Sequence, residues 1–192
     1  ESWRGRLPIE IARLPRNSGK GAALRAGVPL AKQNAVLLYD ADAATPITEL
    51  PRFCSALSDG ADIVIGSRLR DGPGHTVRMQ PHRRLIGRLY FWLTAPLIPG
   101  VHDAACGCKL LRGETARELF AAQHINRFAY DIEILSMAIA RGKKVVEVPV
   151  SWTAVPISKV RLLRDGPEMF MRVLQLYGSR VWWWITSRGG NQ

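Results

Sequence analysis

The chain has 192 residues, 47% of them hydrophobic and 22% charged, which suits one domain with a buried core and excludes an intrinsically disordered chain. Lysine and arginine outnumber aspartate and glutamate by 27 to 16, a net charge of +11, so an anionic partner is expected: a phosphorylated ligand, acidic lipid headgroups or nucleic acid. Three cysteines, Cys54, Cys106 and Cys108, exclude a disulfide framework and fit a reducing, cytoplasmic setting. No stretch approaches the roughly 20 apolar residues of a membrane span, and no signal-peptide pattern opens the chain. Any membrane contact is therefore expected to be peripheral, at the inner face.

In chain order, residues 9–14 read as a strand and 19–32 as an Ala- and Leu-rich helix. The short apolar run 35–39 has the signature of a buried strand. A helix is expected over 48–57, with Thr45 as cap and Pro46 near its first turn, and a second buried strand over 61–66. A basic, Gly-rich loop runs from 67 to 81, followed by an amphipathic helix over 82–97. Helices follow at 113–122 and 131–141, the latter stopped by Gly142. A late strand spans 145–152. A closing amphipathic helix is expected over 165–186, with Asp165 as a cap. Strands alternating with helices imply one α/β domain over 1–192 with a mostly parallel sheet, and ligands in such sheets sit at the carboxyl ends of the strands.

The run 35–39 ends in Asp40-Ala41-Asp42. Two carboxylates one residue apart can share a hard cation, Mg²⁺ or Mn²⁺, whose open positions take diphosphate oxygens. The alternative is one cap and one exposed acid. Upstream, Asn17-Ser18-Gly19-Lys20-Gly21 joins a strand to a helix, where amides and Lys20 can meet an anion, although the spacing is not that of a Walker loop. The run 61–66 ends in Ser67-Arg68, whose guanidinium suits phosphate oxygens. Asp103, Asp131 and Glu133 are candidates for acid–base work or sugar contacts; for Glu133 a helix cap or surface ion pair is the preferred reading. His75, His82, His102 and His124 lack zinc spacing and read as ordinary surface or packing residues.

Arg83, Arg84 and Arg88 lie among Leu85, Ile86, Leu89, Tyr90, Phe91 and Trp92, a basic and aromatic helix suited to a membrane interface. Trp182, Trp183 and Trp184 suit the same belt. The alternative is packing in a core or a dimer contact.

Six ordered segments resemble glycosyltransferase family 2: Asn17-x-Gly19-Lys20-Gly21, Asp40-Ala41-Asp42, Gly66-Ser67-Arg68, Asp103-x-x-Cys106-Gly107-x-Lys109, Arg127-Phe128-Ala129-Tyr130-Asp131-Ile132-Glu133, and Val148-x-Val150-x-Trp152-Thr153 with Ser158-Lys159. The later segments are similar to the branch acting on polyprenyl phosphates, the dolichyl-phosphate β-glucosyltransferases and, more distantly, the dolichol-phosphate mannose synthases. The resemblance implies an A-type glycosyltransferase α/β sandwich and inverting transfer of a hexose, glucose rather than mannose. The donor would be a nucleotide sugar (UDP-glucose before GDP-mannose) and the acceptor a polyprenyl phosphate. It also implies that Asp40 and Asp42 hold the cation and that Asp103 and Asp131 are catalytic. Lys20, Arg68, Ser158 and Lys159 would contact phosphate.

The family's opening strand and its Asp-Asp-Gly-Ser strand end are not in this sequence. A sheet lacking its first strands is expected, completed by a partner chain or a homodimer. A split or non-catalytic fragment and a sugar nucleotidylyltransferase are the competing readings. A nucleic-acid-binding module fits the charge but lacks any recognition motif, and no nucleic-acid partner is expected.

Overall fold

The computed structural model describes residues 8–70, 72, 76–78, 81–153 and 166–178, with the side chains of 78 and 81–84 excepted. In chain order it contains α1 (Lys20–Gly27), β1 (Ala35–Leu38), α2 (Leu50–Ser58), β2 (Ile63–Ser67), β3 (Val77–Arg78) and α3 (Pro81–Thr94). These are followed by β4 (Lys109–Arg112), α4 (Gly113–Ala121), α5 (Tyr130–Ala140), β5 (Val145–Pro149) and β6 (Trp152–Thr153). Residues 166–178 form a final helix, α6.

The main sheet has the order β1-β4-β2-β5. The β2–β5 pair is parallel, whereas β4 runs antiparallel to both β1 and β2. Three of the four strands therefore point one way, and β4 is threaded between two of them in reverse. The sheet is mixed rather than simply parallel. β4 escaped the sequence reading because its four residues, Lys109–Arg112, carry a charge at each end. A second, two-stranded parallel sheet pairs β3 with β6.

β2 is the centre of the sheet. All five of its residues are buried, and its neighbours are β4 on one side and β5 on the other. Burial of each Ile or Val side chain there contributes about 1.5–3 kcal/mol. Phe53 of α2 is fully buried, and its ring, like the Val150 side chain, closes on Gly66. α2 contacts β2, β4 and β5, while α1, α4 and α5 pack together and reach β1, β4 and β5.

Several expected elements differ in detail. Residues 9–14 form no strand: they find no ladder partner among the described residues, and Ile11 is 58% exposed. The first helix ends at Gly27 and gives way to a 3-10 turn at Val28–Leu30, because Pro29 has no N–H to continue the ladder. The second helix begins with a 3-10 turn at Ile47–Glu49, and Pro51 sits in the first turn of α2. Thr45 caps neither element through its side chain; it is buried, and its carbonyl accepts the Tyr39 hydroxyl. The expected strand over 145–152 stops at Pro149, and Trp152 resumes in the other sheet, where its N–H donates to Thr76. Gly142 does stop α5: it adopts φ 70°, and Lys143 N–H closes on the Ala138 carbonyl.

α6 buries Val173 and packs Leu176 and Tyr177 against the core, with the Tyr177 hydroxyl donating to the Leu93 carbonyl at 2.6 Å. Positions 179–186 of the expected closing helix, with Trp182 and Trp183, lie outside the described residues, as do Ser158 and Lys159.

Candidate active site at the ends of β1 and β2

β1 and β2 point the same way, so their carboxyl ends open on one edge of the sheet. Asp40 and Asp42 follow β1, and Arg68 follows β2. Lys20, the first residue of α1, places its Nζ 2.6 Å from Asp40 Oδ1 and 5.7 Å from the Tyr130 ring centre. Burial pulls the Lys20 ammonium down, but the Asp131 and Asp40 carboxylates outweigh it and hold its pKa above the ordinary lysine value.

Arg68 is locked rather than free. Its Nε and one terminal nitrogen donate to the two oxygens of Asp103 at 2.7 and 2.6 Å, and its backbone N–H donates to the same carboxylate at 2.9 Å. The guanidinium carbon lies 5.4 Å from the Trp152 ring centre. Burial disfavours the charge, but the adjoining Asp103 carboxylate wins, so Arg68 stays a cation. Trp152 gets there because Ser151 N–H donates to Glu49 and Thr153 N–H to the Ala44 carbonyl, stitching β6 to the loop after β1.

A third pair lies deeper. Lys109 Nζ donates to the Cys106 carbonyl at 2.5 Å and lies 2.5 Å from Asp131 Oδ1, and both side chains are buried. Asp103 and Asp131, expected as catalytic acids or bases, thus each hold a cation. Neither presents an open carboxylate, because low-dielectric burial ties each to its partner.

The glycines are explained by close approach. A Cβ on Gly107 would meet the Asp40 carboxylate at 1.9 Å, so the acid seats directly against the Gly107 backbone. At Gly19 and Gly21 a Cβ would strike the Asn126 and Ile125 carbonyls at 2.5 and 2.2 Å. Ala22 N–H donates to Asn126 at 3.0 Å, so this turn approaches protein backbone. The Gly-Lys-Gly segment acts here by aiming Lys20 at Asp40. Glu133 fixes the opposing loop: it is buried and accepts the His124 and Ile125 N–H groups at 2.9 and 2.8 Å. It braces that loop from inside, and its Oε1 also lies 3.7 Å from Nδ1 of the exposed His124.

Asp42 is exposed, and its Oδ1 accepts the Ala44 N–H at 3.1 Å, with Ala43 at φ 50°. No group of three or more His, Cys, Asp or Glu side chains converges among the described residues. Carboxylates are the ligand type that a hard divalent ion takes, with water and phosphate oxygens filling its other positions. The Asp40 side chain is 41% exposed and already carries a positive partner in the Lys20 ammonium.

α3 turns Leu85, Arg88, Leu89 and Trp92 to solvent, the tryptophan 72% exposed. The side chains of Arg83 and Arg84 lie outside the described set. α6 exposes Phe170, Met171 and Leu174. No helix among the described residues is long and apolar enough to cross a membrane.

Sequence reading missed Glu147 and the roles of Gly107 and Lys109. Glu147 lies between hydrophobic neighbours in Val145–Pro149 and carries no motif of its own. His102, read as an ordinary residue, pairs with it.

The sequence profile described as "Glycosyl transferase family 2" matches residues 3–120. A dolichyl-phosphate beta-glucosyltransferase of Trichomonas vaginalis is 35% identical over 160 residues, covering 80% of this chain and 48% of the relative. The mouse (Mus musculus) dolichyl-phosphate beta-glucosyltransferase is 32% identical over 183 residues, covering 89% and 56%. The chain thus spans about half the length of the curated relatives it matches. Among solved structures, glucosyl-3-phosphoglycerate synthase from Mycobacterium tuberculosis superposes with a TM-score of 0.62 at 19% identity, over 87% of this chain and 56% of that one. The same enzyme in complex with Mn²⁺, UDP-glucose and phosphoglyceric acid gives 0.61 at 18% identity, again over 87% and 56%. At that identity the likeness speaks for the fold, an A-type glycosyltransferase α/β arrangement.

Proposed function

The chain belongs to glycosyl transferase family 2, and on that premise we propose that it carries the metal-binding half of an enzyme moving glucose from UDP-glucose to a polyprenyl phosphate. The observation that carries the reading is the shared sheet edge where Asp40, Lys20 and the Arg68–Asp103 pair meet. The dolichyl-phosphate glucosyltransferases among its relatives and the UDP-glucose complex of its structural neighbour support the choice of donor and acceptor.

In this reading the acceptor phosphate oxygen attacks the anomeric carbon, the bond to the diphosphate breaks, and the diphosphate leaves with the electron pair. Asp40 and Asp42 would hold Mg²⁺ or Mn²⁺, which supplies charge neutralisation to the departing diphosphate when bound. Lys20, now 2.6 Å from Asp40, would turn to a phosphate oxygen where Asp40 is engaged in holding the ion. Arg68 keeps its place through Asp103 and turns its remaining N–H groups toward phosphate. Ser158 and Lys159 join as phosphate contacts on the strength of the resemblance. The acceptor phosphate, with a second pKa of about 6, is largely dianionic at neutral pH and needs no general base. That agrees with Asp103 and Asp131 being engaged as partners of Arg68 and Lys109.

The acceptor's lipid places the protein at a membrane surface, on its cytoplasmic side. α3 offers Leu85, Leu89 and Trp92 beside Arg88, with Arg83, Arg84, Trp182 and Trp183 assigned to the same contact from sequence. One domain is the proposed unit.

Calorimetry of the chain with UDP-glucose and with GDP-mannose, with and without Mn²⁺, tests the reading. Binding of UDP-glucose that requires the metal and is lost in Asp40→Ala is the expected result. Metal-independent binding, or binding untouched by Asp40→Ala, would overturn the site assignment.

A further inference from the structure

Glu147 sits on β5 opposite Ile65 of β2, two residues before the strand end that carries Arg68. Its side chain is 1% exposed. One oxygen accepts two backbone N–H groups, from His102 at 2.9 Å and Asp103 at 2.7 Å. The other lies 2.9 Å from His102 Nδ1. The His102 ring stacks on Phe91 of α3, with centres 5.1 Å apart and planes 9° from parallel. A buried carboxylate is costly unless its acceptor sites are filled, and all these donors come from the two residues that form the Asp103 turn.

We propose that Glu147 is a positioning residue for the site: it fixes the backbone at Asp103 so that both Asp103 oxygens meet Arg68 and the guanidinium is held at the sheet edge. The chain of contacts is short. Glu147 holds the Asp103 N–H, Asp103 holds Arg68 at three points, and Arg68 lies over Trp152. Glu147 itself makes none of the contacts with Lys20, Asp40 or Arg68 that build the site. The Phe91–His102 stack closes the turn from the α3 side, so the helix bearing Trp92 and the loop bearing Asp103 are joined through one ring.

What matters is the reach of the side chain and its acceptor oxygen, not its charge. Glutamine keeps an oxygen for both backbone N–H groups and offers an N–H toward the imidazole. Aspartate keeps the charge but falls short by one methylene.

The test is hydrogen exchange at the Arg68 Nε–H, followed by ¹⁵N NMR of the full chain, with β2 amides as an internal reference. In Glu147→Asp the Arg68 proton should exchange at least about tenfold faster, the equivalent of one or two lost hydrogen bonds, while the β2 amides stay protected. In Glu147→Gln it should exchange as in the parent chain. An Asp variant with parent-like protection at Arg68 overturns the proposal, and so does a folded Gln variant that releases Arg68. Should the Asp variant not fold, the Gln variant alone decides. The inference takes the role of Arg68 from the proposed function, but the exchange reading needs no ligand. Absence of nucleotide-sugar binding would strike the functional reading and leave this one intact.

Discussion

Arg68 and Asp103, 35 positions apart, meet through two side-chain hydrogen bonds and one from the Arg68 backbone. Each is the other's principal neutralising partner, and the Asp103 side chain is only 3% exposed. Removing one partner leaves the other charged and largely buried, since the Arg68 side chain is only 20% exposed. Asp103→Ala is expected to destabilise the chain by about 3–5 kcal/mol, the range for breaking a buried pair. Urea denaturation measures this directly, and a loss under about 1 kcal/mol would put the pair in the class of exposed, weak bridges.

Gly107 leaves no room for a methyl group, because Asp40 occupies that space. Gly107→Ala should push the Asp40 carboxylate away at a stability cost of about 1–3 kcal/mol, typical of overpacking. Metal-dependent nucleotide binding should fall more than stability does. Calorimetry and thermal melts on the same variant separate the two effects, and unaltered metal-dependent binding would show that Asp40 is not the ligand.

Lys20 competes with any cation for Asp40. Lys20→Met should therefore strengthen Mn²⁺ binding in the absence of nucleotide, read by electron paramagnetic resonance of free Mn²⁺, while weakening UDP binding. Weaker Mn²⁺ binding in this variant would mean that Lys20 orders Asp40 rather than competing for it.

The thiols make a prediction about pH. Burial, then the neighbouring Cys106, pushes Cys108 up to about 12, and burial with Asp103 raises Cys106 too. Both are thiols at neutral pH and poor nucleophiles, whereas Cys54 is exposed. Iodoacetamide at pH 8 should label Cys54 alone until the chain unfolds. A raised folded pKa favours the protonated native state. That contribution is whole below the unfolded value of about 8.5 and is lost as pH climbs through it toward 12. The urea midpoint should fall from pH 8.5 to 11, and Cys108→Ala should lessen the slope.

Leu85, Leu89 and Trp92 recur on one face of α3 and are all exposed. Leu89→Glu with Trp92→Glu should reduce cosedimentation with vesicles containing anionic lipid and leave UDP binding in solution unchanged. Equal cosedimentation of variant and parent would remove α3 from the membrane contact.

Part of this protein was legible along the chain. The apolar run before Ser67 is a strand buried at all five residues, the run before Asp40 is a strand at the edge of the sheet that buries only Val36 and Leu38, and the helix before Gly142 ends where a left-handed residue is available. The positions of Lys20, Asp40, Arg68 and Asp103 could be read because strand ends and turn residues are local signals. Their partners could not. Lys20 meets Asp40 across 20 residues, Lys109 meets Asp131 across 22, and Glu147 meets Asp103 across 44. The Lys109 pairing depends on β4 running backwards between β1 and β2, a choice made by sheet packing that leaves no periodic trace in four residues. The sequence determined which charges the site contains. The tertiary structure decided which of them neutralise one another, because a carboxylate becomes a base, a ligand or a brace only through the donors that burial brings within reach of it.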